Sequence, residues 1–421
     1  MTNIRTIKDV TSWRMCVGCG ACAYICPNQK IKLIDVMNQG IRPCLSDDQC
    51  DTCDDCLKVC PGYETIHDSY DIPSGAISTL RHLFGPILEV WEGYAANKDI
   101  RYNGSSGGLA SALALYCIEE MGMHGVLHID ADPDVPWKNR TVLSQTRSDL
   151  IARTGSRYAP ASPCDGLNLI YSAPSPSVFI GKPCDVAGLR KAQKLRPSLN
   201  QNIGAAIGIF CAGTPSSLGT LELLKYYKID PNTVSDIRYR GKGWPGMFQV
   251  HLKGNNSSSF YKSSYKESWG FLNRYRPFRC YLCPDGTSEF ADISCGDPWY
   301  RELKEDELGY SLLLVRTARG QEIVRGALKT GYVVIEKSDP QILHASQENL
   351  LLKRGAIWGR LLAMRAFGLP TPKLQGFSLF SNWCALPLLD QAKSILGTIR
   401  RVMKRKYYRP IENCEGRKIK S

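Results

Sequence analysis

The pattern C-x2-C-x2-C-x3-C-P occurs twice near the start of the chain, and no other feature restricts the fold so tightly. Cys16, Cys19, Cys22 and Cys26 are followed by Pro27, and Cys50, Cys53, Cys56 and Cys60 by Pro61. Three thiolates at i, i+3 and i+6 wrap a tight loop around one face of a cubane iron–sulfur cluster. The fourth, after a longer gap and a chain-turning proline, points toward a neighbouring cluster. The expected ligand sets are therefore crossed: Cys16, Cys19, Cys22 and Cys60 for one [4Fe–4S] cluster, and Cys50, Cys53, Cys56 and Cys26 for the other. Gly18, Gly20 and Ala21 are small enough to let backbone N–H groups approach the sulfurs. A structural zinc site is the rival reading, but such sites usually use two cysteine pairs split by a finger, without the C-P ending.

This head resembles bacterial-type two-cluster ferredoxins over about fifty residues. It departs from the compact form mainly between Asn38 and Asp48, which brings in Cys44, expected to be a non-ligand. Asp47, Asp48, Asp51, Asp54 and Asp55 form an acidic rim that reads as a solvated loop or as a dock for a basic partner.

Composition narrows the class. Eighteen cysteines in 421 residues are too dilute for a disulfide scaffold, where the share is about 8–10%. Nine of them fall in the first sixty residues, so in a reducing compartment they read as metal ligands rather than disulfides. A hydrophobic share of 43% and a charged share of 22% exclude global disorder. The longest uncharged stretches, such as 103–118 and 374–389, are broken by Gly, Ser or Pro and fall short of the roughly 20 apolar residues a spanning helix needs. The first residues lack the apolar core of a secretory signal. A cytoplasmic protein is the expectation.

The formal net charge of +13 is unevenly placed. Residues 1–70 carry seven Lys/Arg against nine Asp/Glu, whereas residues 388–420 carry ten against three. That is a local basic tail rather than a nucleic-acid-binding body.

Between these ends the pattern is α/β. Strand-like runs at Val126–Ile129, Ser177–Ile180, Ala205–Phe210, Leu312–Val315 and Tyr332–Ile335 alternate with helix-like runs at Leu109–Met121, Val186–Lys194 and Leu218–Tyr227. The expected organisation is a two-cluster ferredoxin-like domain over 1–72, a mixed α/β core over 85–340 and a helical, basic segment over 341–421, an α+β and α/β class overall. Cys184 and Cys211 each follow a strand-like run, where an α/β sheet gathers its ligand-binding residues. With Cys280 and Cys283 they could form a third thiolate site, or stand as separate buried cysteines. Asn103, Gly104, Ser105, Ser106, Gly107 and Gly108 lie between a strand-like stretch and an apolar helix. Such a loop can cradle a phosphate on a helix N-terminus, or can be an ordinary helix start; it is neither a P-loop nor G-x-G-x-x-G.

Five ordered motifs resolve these choices by resemblance: NGSSGG (103–108), TGSRYAP (154–160), GKPCDVAGLRK (181–191), IGIFCAG (207–213) and RCYLCPDGTSEFADISCGDPW (279–299). Together they resemble the beta-subunit family of the coenzyme F-420-dependent hydrogenases and dehydrogenases, across about residues 87–340. The resemblance implies an oxidoreductase that binds FAD beside a [4Fe–4S] cluster of its own. It implies Cys184, Cys211, Cys280 and Cys283 as ligands of that third cluster and Gly104–Gly108 as the flavin-pyrophosphate loop. Ser156, Tyr158, Lys182 and Pro183 become flavin neighbours, Asp292, Gly296 and Asp297 the rim, and Cys295 a spare thiol. Lys182 would favour a reduced, anionic ring, or would be a plain surface charge. His124, His128, His251 and His344 read as structural.

A flavin handles two electrons as a hydride while cubane clusters carry one each, so the parts imply a wire. It would join a one-electron carrier such as ferredoxin to a deazaflavin, a nicotinamide-type carrier or another reducible substrate. In bacterial relatives the resemblance implies a surface-polysaccharide setting. A non-catalytic electron-transfer subunit is the alternative, and a zinc-bearing module binding nucleic acid or membrane is a third.

The tail repeats Leu388, Leu389, Ala392, Ile395, Leu396, Ile399, Val402 and Met403 at helical spacing. Lys393, Arg400, Arg401, Lys404, Arg405 and Lys406 gather toward another side. A basic amphipathic helix of this kind suits the anionic inner face of a membrane. Packing of its apolar side on the core is the competing expectation.

Overall fold

The computed structural model describes residues 4–45, 50, 53–67, 72–254, 260–302 and 308–411. Asp47, Asp48 and Asp51 of the acidic rim lie outside them. Among the described residues the strands are β1 (Ile31–Val36), β2 (Gly40–Leu45), β3 (Glu64–Ile66), β4 (Glu89–Ala95), β5 (Val126–Ala131), β6 (Asn139–Ser144), β7 (Ser177–Gly181), β8 (Ile203–Ile209), β9 (Val234–Arg238), β10 (Met247–Leu252), β11 (Phe260–Ser264), β12 (Ile293–Gly296), β13 (Ser311–Val315), β14 (Val333–Lys337) and β15 (Lys373–Gln375).

The mixed α/β architecture is built on an eight-stranded sheet of order β14-β4-β13-β12-β8-β7-β5-β6. Its centre, β5, β7, β8 and β12, is parallel, and both edges are antiparallel. Alternation along the central strands sorts side chains to two cores, as a period of two requires. Val126, Val178 and Ala205 pack with the helices Leu109–Glu119 and Ala318–Lys329. Their chain neighbours Leu127, Phe179 and Ala206 pack on the other face with Val186 and Leu189 of the helix Pro183–Leu195. That second core is continuous with Val10, Ala21, Tyr24, Ile25 and Val59 of the Cys-rich head. The head is thus pressed on the sheet rather than tethered beside it. Further ties reach it from distant chain. The Ser162 hydroxyl donates to the Gly18 carbonyl at 2.7 Å, and Cys164 N to the Cys19 carbonyl at 3.0 Å.

A separate antiparallel sheet, β11-β10-β9, packs with helix residues Leu223, Leu224 and Leu272. The C-terminal segment is mostly helical but also supplies β15, which pairs in parallel with β3 of the head.

The tail helix Leu388–Lys404 forms where expected, but the face it buries is not its apolar one. Ser394, Thr398 and Val402 turn inward, against the helix Ile357–Ala366. Gly359 permits the approach: a Cβ there would stand 2.1 Å from Ser394 Oγ. Leu388 and Leu396 are left 81% and 64% exposed, and Leu389 and Met403 are exposed as well. Small side chains let two helices come close, and leucines in the same stripe would hold them apart.

Candidate functional site

Cys184, Cys211, Cys280 and Cys283 line one cavity. The sheet topology explains how residues so far apart in sequence meet. Cys184 opens the helix after β7, Cys211 follows β8, and β7 and β8 are parallel neighbours. Cys280 lies in the short turn Phe278–Leu282, directly before Cys283 and ahead of β12, which pairs with β8 on its other side. Burial pushes Cys211 up to about 11, with Cys280 and Cys283 adding to the effect. Cys184 is raised further by burial, Asp185, Cys283 and Cys211. Burial raises thiols in this way wherever they lie, so the meeting of the four at one cavity, rather than their acidity, is what sets them apart.

The head thiols fall into two groups. Burial and then Cys16, Cys19, Cys60 and Cys56 raise Cys22. Burial and then Cys50, Cys53 and Cys26 push Cys56 up to about 11. Cys56 of the second expected set acts on Cys22 of the first, so the two sets stand close together in the head. Gly18 N donates to Cys16 Sγ at 3.4 Å. Among the described residues no three His, Cys, Asp or Glu side chains close on a single-ion site. Thiolates around a four-iron cluster bond to different irons and so stand farther apart than the ligands of one ion.

The head and core sets adjoin. Cys16 and Arg42 line the same cavity as the four core thiols, and Arg42 draws Cys16 down against the larger upward effect of burial. Arg279 reaches the head too, donating to the carbonyls of Gly62 and Pro61 at 3.2 and 3.3 Å. Arg42, Arg279 and Cys164 were not legible as site residues in the sequence. Cys164 hydrogen-bonds Cys19 and lowers it, and no spacing rule links positions so distant. Cys44 stands apart, on β2.

A cleft of about 1020 Å³ opens at the carboxyl ends of the parallel strands, past Ile129, Gly181, Ile209 and Gly296. Gly104, Ser105, Ser106 and Gly108 line it with Ser156, Tyr158 and Lys182. Gly108 starts the helix Leu109–Glu119 with φ +77°, and a Cβ there would lie 2.7 Å from the Ile100 carbonyl. The Ser105 hydroxyl accepts from Ser156 N at 2.7 Å, which joins two of the motifs. Three of the expected flavin neighbours do not line this cleft. The Asn103 side chain donates to the Asp99 carbonyl, Gly107 N donates to the Ser311 hydroxyl, and Pro183 lines the thiol cavity instead.

Lys182 lines both cavities. Burial opposes its charge, but Asp185, 2.6 Å away, and Cys184 outweigh that and raise it; it is no surface charge. The far wall holds the Arg240 guanidinium against the rings of Tyr265 and Trp299, at 4.5 and 5.1 Å, with both arms on Asp297. Gly296, Asp297 and Cys295 line the cleft. Asp292 does not: it ties Arg190, Ala206 N and Thr317 together as a structural carboxylate. Cys295 is pushed up to about 12 by burial alone, without influence from the four core thiols. His128 also lines the cleft, held neutral at about 4 by burial and Arg153, and bonded to Ser144 at 2.8 Å.

The glycine loop, the thiol cavity and the strand-end cleft between them draw on segments that two family models match. Residues 90–167 match the coenzyme F420 hydrogenase/dehydrogenase beta subunit N-terminal family and residues 177–341 its C-terminal counterpart. The chain belongs to this oxidoreductase-related family. Over 270 residues it is 26% identical to F420-dependent formate dehydrogenase 1 subunit beta of Methanococcus maripaludis, covering 63% of this chain and 67% of that one. It is 24% identical to coenzyme F420 hydrogenase subunit beta of Methanococcus voltae, covering 69% and 99%. With coenzyme F420-dependent sulfite reductase of Methanocaldococcus jannaschii it shares 26% identity over 75% of this chain, but spans only 46% of that protein. A chain of the F420-reducing [NiFe] hydrogenase complex from Methanosarcina barkeri has the same fold, at a TM-score of 0.51 and 20% identity over 84% of this chain and 100% of that one.

Proposed function

We propose that the chain is an iron–sulfur flavoprotein oxidoreductase moving electrons between a ferredoxin-type carrier and a hydride acceptor or reducible substrate. The observation that carries this reading is the shared wall: Lys182, Cys211, Gly213, Thr214 and Lys353 line both the thiol cavity and the cleft. In this reading Cys16, Cys19, Cys22 and Cys60 hold one [4Fe–4S] cluster, and Cys50, Cys53, Cys56 and Cys26 a second. Cys184, Cys211, Cys280 and Cys283 hold a third, and FAD lies over the loop at Gly104–Gly108. When bound, the flavin supplies paired-electron chemistry and the clusters single-electron transfer. The chain's own contributions are positional and electrostatic. The helix start at Gly108 offers free N–H groups to a pyrophosphate, Tyr158 and Trp269 wall the cleft with rings, and charged Lys182 favours negative charge at the shared wall.

A second reading, an electron-transfer subunit serving a partner enzyme, is favoured by the relatives named as subunits of hydrogenase and formate dehydrogenase. Anaerobic purification with iron, sulfide, zinc and flavin counted per chain tests the first. About twelve irons and one flavin are expected; about eight irons without flavin would reduce the chain to its head and overturn the enzyme reading. Turnover of a small molecule by the isolated chain separates the two readings.

Among the described residues no helix is long and apolar enough to cross a membrane. The exposed stripe Leu388, Leu389, Leu396 and Met403, with the exposed Lys393, Arg400 and Lys404 along one flank, supports peripheral contact with an anionic membrane surface. A surface-polysaccharide setting is compatible with that location. The protein is expected to float with vesicles containing phosphatidylglycerol and not with neutral ones, and Leu389→Asp with Leu396→Asp to abolish flotation. Flotation unaffected by the double substitution would remove the membrane role.

A further inference from the structure

One arm of the cleft carries charge of which the reading above uses only Lys353, on the shared wall. Arg276 and Lys353 both donate to the Ala212 carbonyl, at 2.6 and 3.5 Å. Arg276 and Arg401 both lie over the Tyr281 ring, 4.8 and 4.4 Å from its centroid. Arg360 donates to the Tyr281 carbonyl at 2.5 Å. Four cations therefore gather around two carbonyls and one ring, and all four line the cleft. Among the described residues no carboxylate pairs with any of them. Of the two acids that line this part of the cleft, Asp390 is taken by Lys393 at 3.0 Å and Glu348 is exposed. Like charges held this close in a half-buried site repel strongly. Arg360 registers the cost, pushed down to about 10 by burial, then by Arg401 and Arg276.

We propose that this arm binds a phosphate or diphosphate group on the reducible substrate. The count of charges selects the class. A lone carboxylate would leave most of the cluster uncompensated, whereas a phosphate ester brings about −1.5 to −2 and several acceptor oxygens. Guanidinium forks match that geometry with paired hydrogen bonds. The arm meets the rest of the cleft beside Cys211, Gly213 and Thr214, so a substrate anchored there extends its uncharged part toward the wall shared with the thiol cavity. Arg360 and Arg401 lie beyond residue 341, where the family match ends. The anchor thus joins Arg276 of the matched core to three cations of the C-terminal segment, Lys353, Arg360 and Arg401. The inference rests on the proposed function and names its substrate class.

Inorganic pyrophosphate is the probe, titrated by calorimetry into full-length, anaerobically reconstituted protein at fixed ionic strength. Iron and flavin are counted on the same sample, so that a failure of cofactor loading is distinguishable from a failure of anion binding. Saturable binding is expected, weakened about tenfold or more by Arg360→Gln and separately by Arg401→Gln, and unaltered by Lys225→Gln, an exposed cation elsewhere. Arg401 lies on an outer helix, so Arg401→Gln keeps the test decisive if Arg360→Gln fails to fold. Two arms identify the source of the group. If it is lipid-borne, pyrophosphate displaces the protein from phosphatidic acid vesicles and Arg360→Gln weakens their capture. If it is soluble, pyrophosphate binding depends on Arg360 while vesicle capture does not. Absence of saturable binding, or equal affinity in all three variants, would overturn the proposal.

Discussion

Cys283→Ser is expected to remove about four of about twelve irons per chain and to alter the absorption of a flavin bound in the adjoining cleft. The reason is the convergence of Cys283 with Cys184, Cys211 and Cys280 on one cavity whose wall the cleft shares. A serine hydroxyl is a far poorer partner for iron than a thiolate, and three remaining thiolates hold a four-iron cluster less well than four. Reduction of the flavin by an external one-electron donor should slow with the iron loss, because Cys16 and Arg42 of the head line that same cavity. Cys295→Ala is the comparison. Its thiol is buried in β12 and feels none of the four, so iron content should stay at the level of the unaltered chain. Unchanged iron in Cys283→Ser, or equal loss in Cys295→Ala, would retire the third-cluster assignment. Cys19→Ser probes the head by the same count: about four irons should go while flavin content holds.

The second large effect is structural. Arg354 is buried and pairs with Glu289, itself 1% exposed, while Arg354 Nη2 donates to the Phe377 carbonyl at 3.2 Å. Glu289 also meets His67 Nε2 at 2.8 Å. Three stretches of chain are clamped at this point: the head through His67, the core through Glu289, and the C-terminal segment through Arg354 and Phe377. Arg354→Met would leave the buried Glu289 carboxylate with His67 as its remaining side-chain partner, an effect of up to about 3–5 kcal/mol. The expected observation is much faster thermal loss of the head clusters together with increased amide exchange at the β3–β15 pair. Glu289→Gln combined with Arg354→Met should recover part of the loss, because removing both charges avoids the uncompensated one. A single variant as stable as the unaltered chain would show the clamp to be inert. Burial alone would raise Glu289, but Arg354 and then His67 hold it below the ordinary glutamate value. The clamp's contribution is therefore present above that ordinary value and is lost as pH falls through the lowered folded one.

Much of the α/β core could be read from local pattern. The runs near 126, 177, 205, 312 and 332 are strands β5, β7, β8, β13 and β14; of the expected helices, the one from 109 ends two residues early, the one near 186 is longer at both ends and the one near 218 is shifted by one residue. The sheet β9–β11 was not legible. Its strands carry Asp236, Arg238, Gln249, His251 and Lys262, so the apolar signal is diluted, and only packing against two helices makes them strands. Asp292 shows a different limit. It belongs to a motif that points to the site, yet its partners Arg190 and Thr317, 102 and 25 residues away in sequence, make it a brace.

The sequence by itself determined the two evenly spaced cysteine motifs of the head, the glycine loop before an apolar helix, and the amphipathic tail. Each is a short-range pattern, and bond geometry over a few residues limits what it can become. Tertiary structure alone decided which distant residues meet. Cys184, Cys211 and the Cys280–Cys283 pair converge because β7, β8 and β12 are parallel neighbours, and strand order is not written in any one strand. It also decided that the tail helix buries Ser394, Thr398 and Val402 and shows its leucines to the outside. Helical periodicity tells which side is apolar. Which side is buried depends on the surface the helix meets, and here Gly359 and Trp383 offer room for small side chains only.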